Sequence, residues 1–169
     1  MNAYFRRQLA IYARYHCTAG NCALHWLGIP AIFFAVLVIL ALRLVPIGDH
    51  GISAGTLLLI PAVMLWLALD VGTGSVLLVM VAPLAATAEW VARTGSITLA
   101  LSIALAFFAA GWLCLIVGHV VFEGRRPAFV ADVRLMFIGP MFIVAKALVA
   151  LGVRADLEPI LGGTAAHQT

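Results

Sequence analysis

Three histidines of this chain lie where its apolar segments begin or end. His16 and His25 flank the start of the first long apolar run, and His119 lies near the end of a later one. A group that can carry charge is expensive to place at membrane depth, and there it usually faces a protein interior or a wet cavity. A single histidine at the membrane interface is more often a hydrogen-bonded anchor than a ligand. Three histidines on the same side of the membrane indicate a functional site.

Carboxylates and an amide accompany these histidines. Glu123 follows His119 by four residues, which places both on one face of a continuing helix, and Asn21 precedes His25 by the same spacing. Asp70 ends the second apolar run and is expected to return to the same membrane face. Imidazole with carboxylate suits zinc, iron, manganese or copper, and two histidines plus one carboxylate with open positions are typical of non-haem Fe(II) oxygenases.

A sulfur-containing site is the alternative for the N-terminal part of this group. His16, Cys17, Cys22 and His25 could form a compact structural zinc site. Their spacing matches no standard zinc finger, however, and the segment leads directly into an apolar run. We therefore favour a site of imidazoles and carboxylates.

The composition of the 169 residues indicates a membrane protein. Hydrophobic residues make up 64% of the chain, charged residues only 10%, and the mean hydropathy is +1.13. So few charged side chains cannot cover a compact soluble domain.

The formal charge of +3 comes from scattered basic residues that offer a nucleic acid no continuous stripe, so we expect no nucleic acid partner. The three cysteines predict no disulfide framework, and the sequence contains neither a phosphate-binding loop nor a serine nucleophile elbow.

Apolar runs divide the chain into about five predicted membrane helices. A hydrocarbon core about 30 Å thick needs roughly 20 apolar residues in helical conformation. The runs are residues 26–45, 52–69, 76–91, 97–122 and 133–151. The second and third are short and separated by a predicted turn at residues 72–75, so they could instead form a helical hairpin that does not cross fully.

Either arrangement places the loop after the fourth run on the same side of the membrane as the N-terminal segment. The basic residues near the helix ends are then unequally divided. They are Arg6, Arg7, Arg14, Arg125, Arg126 and Arg134 on this shared face, and Arg43, Arg93 and Arg154 on the other. Because arginine and lysine are enriched in cytoplasmic loops, we expect the shared face, with its three histidines, to be cytoplasmic.

The segment before the first apolar run is predicted to be an amphipathic helix at the membrane surface. Phe5, Leu9, Tyr12 and His16 recur at helical spacing, and the arginines fall largely outside that stripe. We expect an all-α integral membrane protein with one domain over residues 1–169. Residues 1–25 would form the interfacial segment, 26–151 the transmembrane helices and 152–169 a flexible tail.

Two blocks of residues give the chain a resemblance to a known family. They are Tyr15-His16, Asn21, His25, Gly28 and Pro30, then Gly118-His119, Glu123 and Pro127-Ala128, with Gly139-Pro140 extending the match. In order, spacing and membrane position these blocks, over roughly residues 12 to 140, resemble the Mpo1-like 2-hydroxy fatty acid dioxygenase family of membrane proteins.

The resemblance implies an Fe(II)-dependent dioxygenase that removes one carbon from a 2-hydroxy fatty acid. Its membrane would be the bacterial inner membrane, or the endoplasmic reticulum in a eukaryote. On this chain His16, His25 and His119 would hold Fe(2+), and Glu123 would be a fourth ligand or the partner that fixes a histidine tautomer. A 2-hydroxy acid can chelate iron through its carboxylate and hydroxyl, leaving a position for dioxygen, while its acyl tail lies among the membrane helices.

Further polar residues are candidates for the surroundings of this site. Asn21 and Asp70 would lie just outside the metal ligands. Arg125 and Arg126 are topology signals, and either is also a candidate to bind an anionic headgroup or the substrate carboxylate. Lys146 lies inside the fifth apolar run, where it would extend toward the surface or neutralise a buried acid.

A non-enzymatic membrane protein is the alternative from another class. It would be a small transporter or scaffold whose histidines bind metal or sense pH, and it predicts transport without oxygen consumption. A di-metal hydroxylase or desaturase is the enzymatic alternative, but such a site needs more histidines or carboxylates than this face offers. The number of metal ions bound per chain distinguishes one iron from two.

Overall fold

The computed structural model describes residues 1–16, 18–47, 50–124 and 135–162, most of which are helical. The helices are α1 (Ala3–Ala13), α2 (Ala19–Ala41), α3 (Ala54–Leu69), α4 (Val71–Thr94), α5 (Ile97–Val117), α6 (Leu135–Ala150) and α7 (Glu158–Gly162). A π-helical segment, Gly118–Glu123, continues α5, and a 3-10 turn, Ala155–Leu157, precedes α7. Strands β1 (Leu44–Ile47) and β2 (His50–Ser53) form an antiparallel hairpin between α2 and α3.

Three of these helices are long and apolar enough to cross a membrane. They are Ala19–Ala41, Val71–Thr94 and Ile97–Glu123, the last including the π-helical segment. Helix α3 is apolar but has only 16 residues, and α6 with the helical residues up to Gly162 forms a further candidate that is bent by 118°. The architecture fits an all-α membrane protein with a helix at each predicted position, whereas the number of five crossings stays a prediction.

Helix α2 occupies the centre of the described bundle and contacts α3, α4, α5 and α6. Its closest approach is to α5, where two glycines face each other. A Cβ on Gly28 would lie 2.8 Å from the carbonyl oxygen of Gly111, and a Cβ on Gly111 would lie 2.9 Å from that of Gly28. Such small residues let membrane helices pack backbone against backbone. This contact brings the start of α2 close to the end of α5.

The first predicted helix boundary is wrong. The apolar run predicts a span that continues to residue 45, but α2 ends at Ala41 and Leu44 pairs with Ser53 in the hairpin. Pro46 explains the difference, because proline cannot donate to a helical hydrogen bond and it pushes the preceding residue toward extended conformation. The hairpin therefore connects α2 to α3.

The turn predicted at residues 72–75 is also wrong, because these residues form the first turn of α4. The Asp70 carboxylate accepts a hydrogen bond from the Thr73 amide at 2.8 Å, so it caps a helix that restarts after a one-residue break. Gly74 lies against the backbone of Trp66, where a Cβ would approach within 2.8 Å. The glycines that suggested a loop instead permit a tight corner between α3 and α4.

Helix α1 has the predicted amphipathic pattern, and its apolar face packs on protein. Phe5, Leu9 and Tyr12 are buried in a core shared with α6, and α1 also contacts α7. Arg6 and Arg7 are exposed on the opposite face. The stripe is thus explained by burial against helices, and a position of α1 at the membrane surface stays a prediction.

An ionic cluster holds the beginning of the chain to the corner between α3 and α4. The Asp70 carboxylate lies 2.8 Å from Arg154 Nη1 and 3.2 Å from the amino group of Met1. Burial alone would raise the pKa of Asp70, but hydrogen bonds from the Arg154 guanidinium and from Thr73 hold it well below its usual range. The carboxylate is therefore ionised, and it helps to position α1.

Candidate metal centre

The three histidines singled out by sequence lie together inside the protein. His16 precedes α2, His25 lies in its second turn, and His119 belongs to the π-helical segment. Their exposed fractions are 2%, 1% and 2%, and one ligand nitrogen from each lies within 4.8 Å of the others. The ring centroids are 4.4 to 4.9 Å apart with steeply inclined planes. The predicted meeting of the N-terminal segment with the end of the fourth apolar run is thus confirmed.

Hydrogen bonds fix the tautomers of two of these rings. The Nδ1 atom of His16 lies 3.0 Å from the Tyr12 carbonyl oxygen, and that of His25 lies 2.9 Å from the Asn21 carbonyl oxygen. A carbonyl oxygen only accepts, so each Nδ1 is the protonated donor and each Nε2 of the neutral ring carries a lone pair. The two Nε2 atoms lie 3.0 Å apart, a contact that needs a cation or a proton between them.

This arrangement fits a divalent transition-metal ion. Imidazole nitrogens bind such an ion at about 2.1 Å, so two of them at a right angle are about 3 Å apart. Metal-bound histidines usually donate the other ring N–H to a carbonyl or carboxylate, as both rings do here. Burial, followed by the neighbouring His25, lowers the pKa of His16 and keeps it in the neutral form that binds metal.

The π-helical segment presents His119 to the other two histidines. Turns of this kind, with i→i+5 hydrogen bonds, are rare and occur frequently at functional sites. Gly118 allows the segment to approach α2, because a Cβ there would overlap the side-chain oxygen of Asn21. Nδ1 of His119 and Oδ1 of Asn21 are buried with no hydrogen-bond partner among the described residues. His119 therefore retains bonding capacity for a group bound at the site.

The carboxylate of Glu123 lies at the N-terminus of α2. Its Oε1 atom accepts hydrogen bonds from the Thr18 amide at 2.8 Å, the Thr18 hydroxyl at 3.0 Å and the Asn21 side-chain amide at 3.2 Å. The positive end of a helix dipole favours a carboxylate in this position. The described hydrogen bonds of Glu123 are thus made to Thr18 and Asn21. The ligand role of Glu123 stays a prediction, and its described contacts join α2 to the π-helical segment.

Three other predicted site residues are not brought to the histidines by any described contact. Asp70 contacts the N-terminus, Thr73 and Arg154, so its role around the metal stays a prediction. Arg125 and Arg126 lie outside the described residues. Nothing in the described contacts tests their predicted interaction with an anionic group.

The alternative zinc site with cysteine ligands gains no support within the described residues. Among the described residues, the group that could hold a metal ion consists of the three histidines alone. Cys17 is not among the described residues. Cys22 Sγ instead lies 3.0 Å from the ammonium nitrogen of Lys146, which is 5.4 Å from the centroid of the Phe142 ring. The side chain of Lys146 is thus directed to the protein interior.

Tyr12 is part of the site although the sequence pattern indicated only its apolar character. Its ring stacks on His16 with centroids 4.2 Å apart and planes inclined by 6°, and its carbonyl oxygen fixes the His16 tautomer. Gly139 gives it space, since a Cβ there would lie 3.0 Å from the Tyr12 hydroxyl. The four-residue spacing from Tyr12 to His16, repeated from Asn21 to His25, is the sequence signal for these backbone contacts.

An apolar cavity of about 570 Å³ opens from the histidines. Tyr12, His25 and His119 line one end, and residues of α2, α3, α5 and α6 form the walls. The far end is lined by Leu40 and Gly55, near the β-hairpin. A long apolar cavity with polar groups at one end suits a ligand with an apolar body and one polar terminus.

Comparison with known proteins agrees with this geometry. The family model described as 2-hydroxy-palmitic acid dioxygenase Mpo1-like matches residues 2–151. The chain is 30% identical over 157 residues to the 2-hydroxy-palmitic acid dioxygenase MPO1 of Saccharomyces cerevisiae, covering 92% of this chain and 86% of that protein. No solved structure matches significantly. Because the family match extends over nearly the whole chain, the protein belongs to the Mpo1-like family.

Proposed function

We propose that the protein is an Fe(II)-dependent membrane dioxygenase that shortens 2-hydroxy fatty acids by one carbon. Membership of the Mpo1-like family supports the substrate class and the use of dioxygen. The bond between the carboxyl carbon and C2 breaks, C2 is oxidised to a new carboxyl group, and dioxygen is reduced. One 2-hydroxy acid and one dioxygen give one shortened acid, one carbon dioxide and one water, so no other reductant is needed.

The observation that carries this proposal is a buried three-histidine group at the end of an apolar cavity. His25 and His119 belong to the three-histidine group that could hold a metal ion, and they also line the cavity. A fatty acid in the cavity would therefore have its polar end at the histidines and its tail among apolar side chains. Transfer of each methylene from water to such a surface contributes about 0.8 kcal/mol.

The metal would be held by His16, His25 and His119. Fe(II) bound there would supply the redox chemistry that dioxygen activation requires, and it would accept the carboxylate and 2-hydroxyl of the substrate as ligands. The carbonyl oxygens of Tyr12 and Asn21 keep the Nε2 atoms of His16 and His25 deprotonated and directed to the site. Glu123, as a ligand or through its hydrogen bonds to Thr18 and Asn21, completes the set.

The described residues that line the cavity include no arginine or lysine that could pair with the substrate carboxylate beside the metal. Arg125 and Arg126 follow the π-helical segment closely in sequence, and we propose that one of them binds the substrate carboxylate. A guanidinium binds a carboxylate through two parallel hydrogen bonds. On this proposal the site opens to the cytoplasmic face of the bacterial inner membrane or the endoplasmic reticulum, and the membrane supplies the lipid substrate.

Turnover by the purified protein tests the proposal. Protein prepared anaerobically in detergent is loaded with Fe(II) and given 2-hydroxypalmitate and dioxygen, and the acid one carbon shorter is sought by mass spectrometry. We expect this acid and one equivalent of carbon dioxide per dioxygen consumed. Bound iron without oxygen consumption or product would contradict the dioxygenase and favour a metal-binding transporter or scaffold.

A further inference from the structure

At the far end of the cavity, the start of α3 packs against the end of α2. The β-hairpin connects these two helix ends, and Gly55 lies in the first turn of α3. A Cβ on Gly55 would lie 3.5 Å from the carbonyl oxygen of Leu37 and 3.5 Å from the Cβ of Leu40. Leu37, Leu40 and Gly55 also line the cavity, and we call these three residues the cavity floor.

Two antiparallel walls connect this floor to the histidines. On α2 the lining residues extend from His25 to Leu40, and on α3 they extend from Gly55 to Trp66. The fifteen residues from His25 to Leu40 correspond to a helix rise of about 22 Å. One leaflet of a bilayer, whose hydrocarbon core is about 30 Å thick in total, accommodates an acyl chain in about 15 Å. The cavity is therefore long enough for a complete long-chain acyl group.

We infer that the cavity floor sets the length of the acyl chain that the site accepts. This rests on the proposed function, which places the carboxyl end of the substrate at the histidines and its methyl end toward the floor. Each methylene that contacts the wall improves binding by about fourfold until the chain reaches the floor. A longer chain must bend or displace packed side chains, so the preference falls sharply beyond one length.

Gly55 is the position at which this length can be changed with little disturbance. The contacts of an added Cβ would be 3.5 Å or longer, which is ordinary van der Waals distance, so alanine fits. Because Gly55 lines the cavity, we expect the further atoms of a leucine side chain to occupy its far end and shorten it. Conversely, replacing Leu40 by alanine removes side-chain atoms from the floor and lengthens the cavity.

Chain-length profiles of four variants test the inference. We would measure kcat/KM for straight-chain 2-hydroxy acids, from 2-hydroxylaurate to 2-hydroxybehenate in steps of two carbons. Gly55→Leu should lower the ratio of kcat/KM for the longest acid that the wild type accepts to kcat/KM for 2-hydroxylaurate by at least about tenfold. Leu40→Ala should move the optimum to longer acids. The matched controls should keep the wild-type profile. They are Gly162→Leu, where no described residue lies within 4 Å of an added Cβ, and Leu57→Ala, on an exposed surface.

An unchanged profile in both Gly55→Leu and Leu40→Ala would overturn the role of the floor. If the wild type converts no 2-hydroxy acid, the proposed function fails, and the floor is then tested by binding alone. For that purpose, thermal stabilisation of the detergent-solubilised protein is measured with unmodified fatty acids of the same lengths. A shorter best-stabilising acid for Gly55→Leu than for the wild type supports the floor, and an identical best acid overturns it.

Discussion

His16 and His25 face each other through Nε2 atoms that are 3.0 Å apart, although neither atom can donate a hydrogen bond to the other. Both Nδ1 atoms are committed to backbone carbonyl oxygens, at 3.0 and 2.9 Å. Two lone pairs at this distance inside an apolar bundle are unfavourable without a cation or a shared proton. The contact therefore indicates a metal site more strongly than the number of histidines alone.

Replacement of Glu123 distinguishes a metal ligand from a helix-capping group. Glu123→Gln keeps an oxygen that can accept from Thr18 and Asn21, so a capping role predicts nearly full iron content. Glu123→Ala removes these contacts and should destabilise the protein by about 1 kcal/mol and weaken metal binding by about 10-fold or more. Metal titration of both variants measures this. Loss of iron from Glu123→Gln as complete as from a histidine variant would show direct ligation.

Substitution of Gly28 should separate α2 from α5. A Cβ at this position would lie 2.8 Å from the Gly111 carbonyl oxygen, so Gly28→Val forces the helices apart and moves His25 relative to His119. We expect a loss of about 1–3 kcal/mol in the free energy of unfolding, with reduced iron affinity. Denaturation in detergent and metal titration measure the two effects. Gly162→Val is the control, since no described residue lies within 4 Å of a Cβ there. Equal stability of the two variants would contradict the close helix contact.

The pair formed by Asp70 and Arg154 predicts a pH-dependent stability. The pKa of Asp70 is depressed in the folded state from an ordinary value of 3.8. The contribution of ionised Asp70 to the free energy of unfolding is therefore complete above pH values near this ordinary pKa. It declines as the pH falls toward the folded-state pKa. Because Met1 and Thr73 still contact Asp70, Arg154→Gln should lower the free energy of unfolding by about 1.5–3 kcal/mol at neutral pH. This difference from the wild type should narrow below about pH 4. Unfolding free energies across this range provide the measurement.

Asp156 offers a control for this pair. It also contacts Arg154, at 2.7 Å, but its side chain is 56% exposed. Water screens such an exposed pair, so Asp156→Asn should change the free energy of unfolding by less than about 1 kcal/mol. If Asp156→Asn lowered the free energy of unfolding as much as Arg154→Gln, the stabilising partner of Arg154 would be Asp156 and not Asp70.

Arg125→Ala and Arg126→Ala test recognition of the substrate carboxylate. Loss of a charge-assisted hydrogen bond should raise KM for a 2-hydroxy acid about tenfold or more in at least one variant, with a smaller effect on kcat. Steady-state oxygen consumption measures both constants. Arg7→Ala, on the exposed face of α1, is the control. Unchanged KM in both variants would remove this role.

The histidine group could be predicted from the sequence because it depends on topology more than on detail. An apolar run of helical length fixes which chain segments share a membrane face, and His16, His25 and His119 all lie at ends of such runs. Asn21 and His25 are one helical turn apart in α2, and the same four-residue spacing separates Tyr12 from His16, which follows the end of α1. The shared membrane face and the four-residue spacings can both be predicted even when helix boundaries are wrong by several residues.

The position of Glu123 could not be predicted in the same way. The sequence predicts a regular α-helix from His119 to Glu123, whereas the structure contains a π-helical segment at Gly118–Glu123, and Glu123 accepts hydrogen bonds from Thr18 and Asn21. Spacing alone does not reveal such a segment, because its extra residue per turn depends on packing against α2. Likewise, Gly72 and Gly74 led to the prediction of a turn. The structure shows that they belong to a helix, and the close contact of Gly74 with the Trp66 backbone explains why glycine is needed there.

The most direct test of a metal ion held by His16, His25 and His119 is metal analysis of the purified protein. Protein prepared anaerobically in detergent is loaded with Fe(II), freed of unbound metal and analysed for iron per chain. We expect about one iron in the wild type and in the control His167→Ala, a histidine of the tail outside the described residues. We expect most of it to be lost in folded His16→Ala, His25→Ala and His119→Ala. Full iron content in folded His119→Ala, or two irons per wild-type chain, would contradict this site.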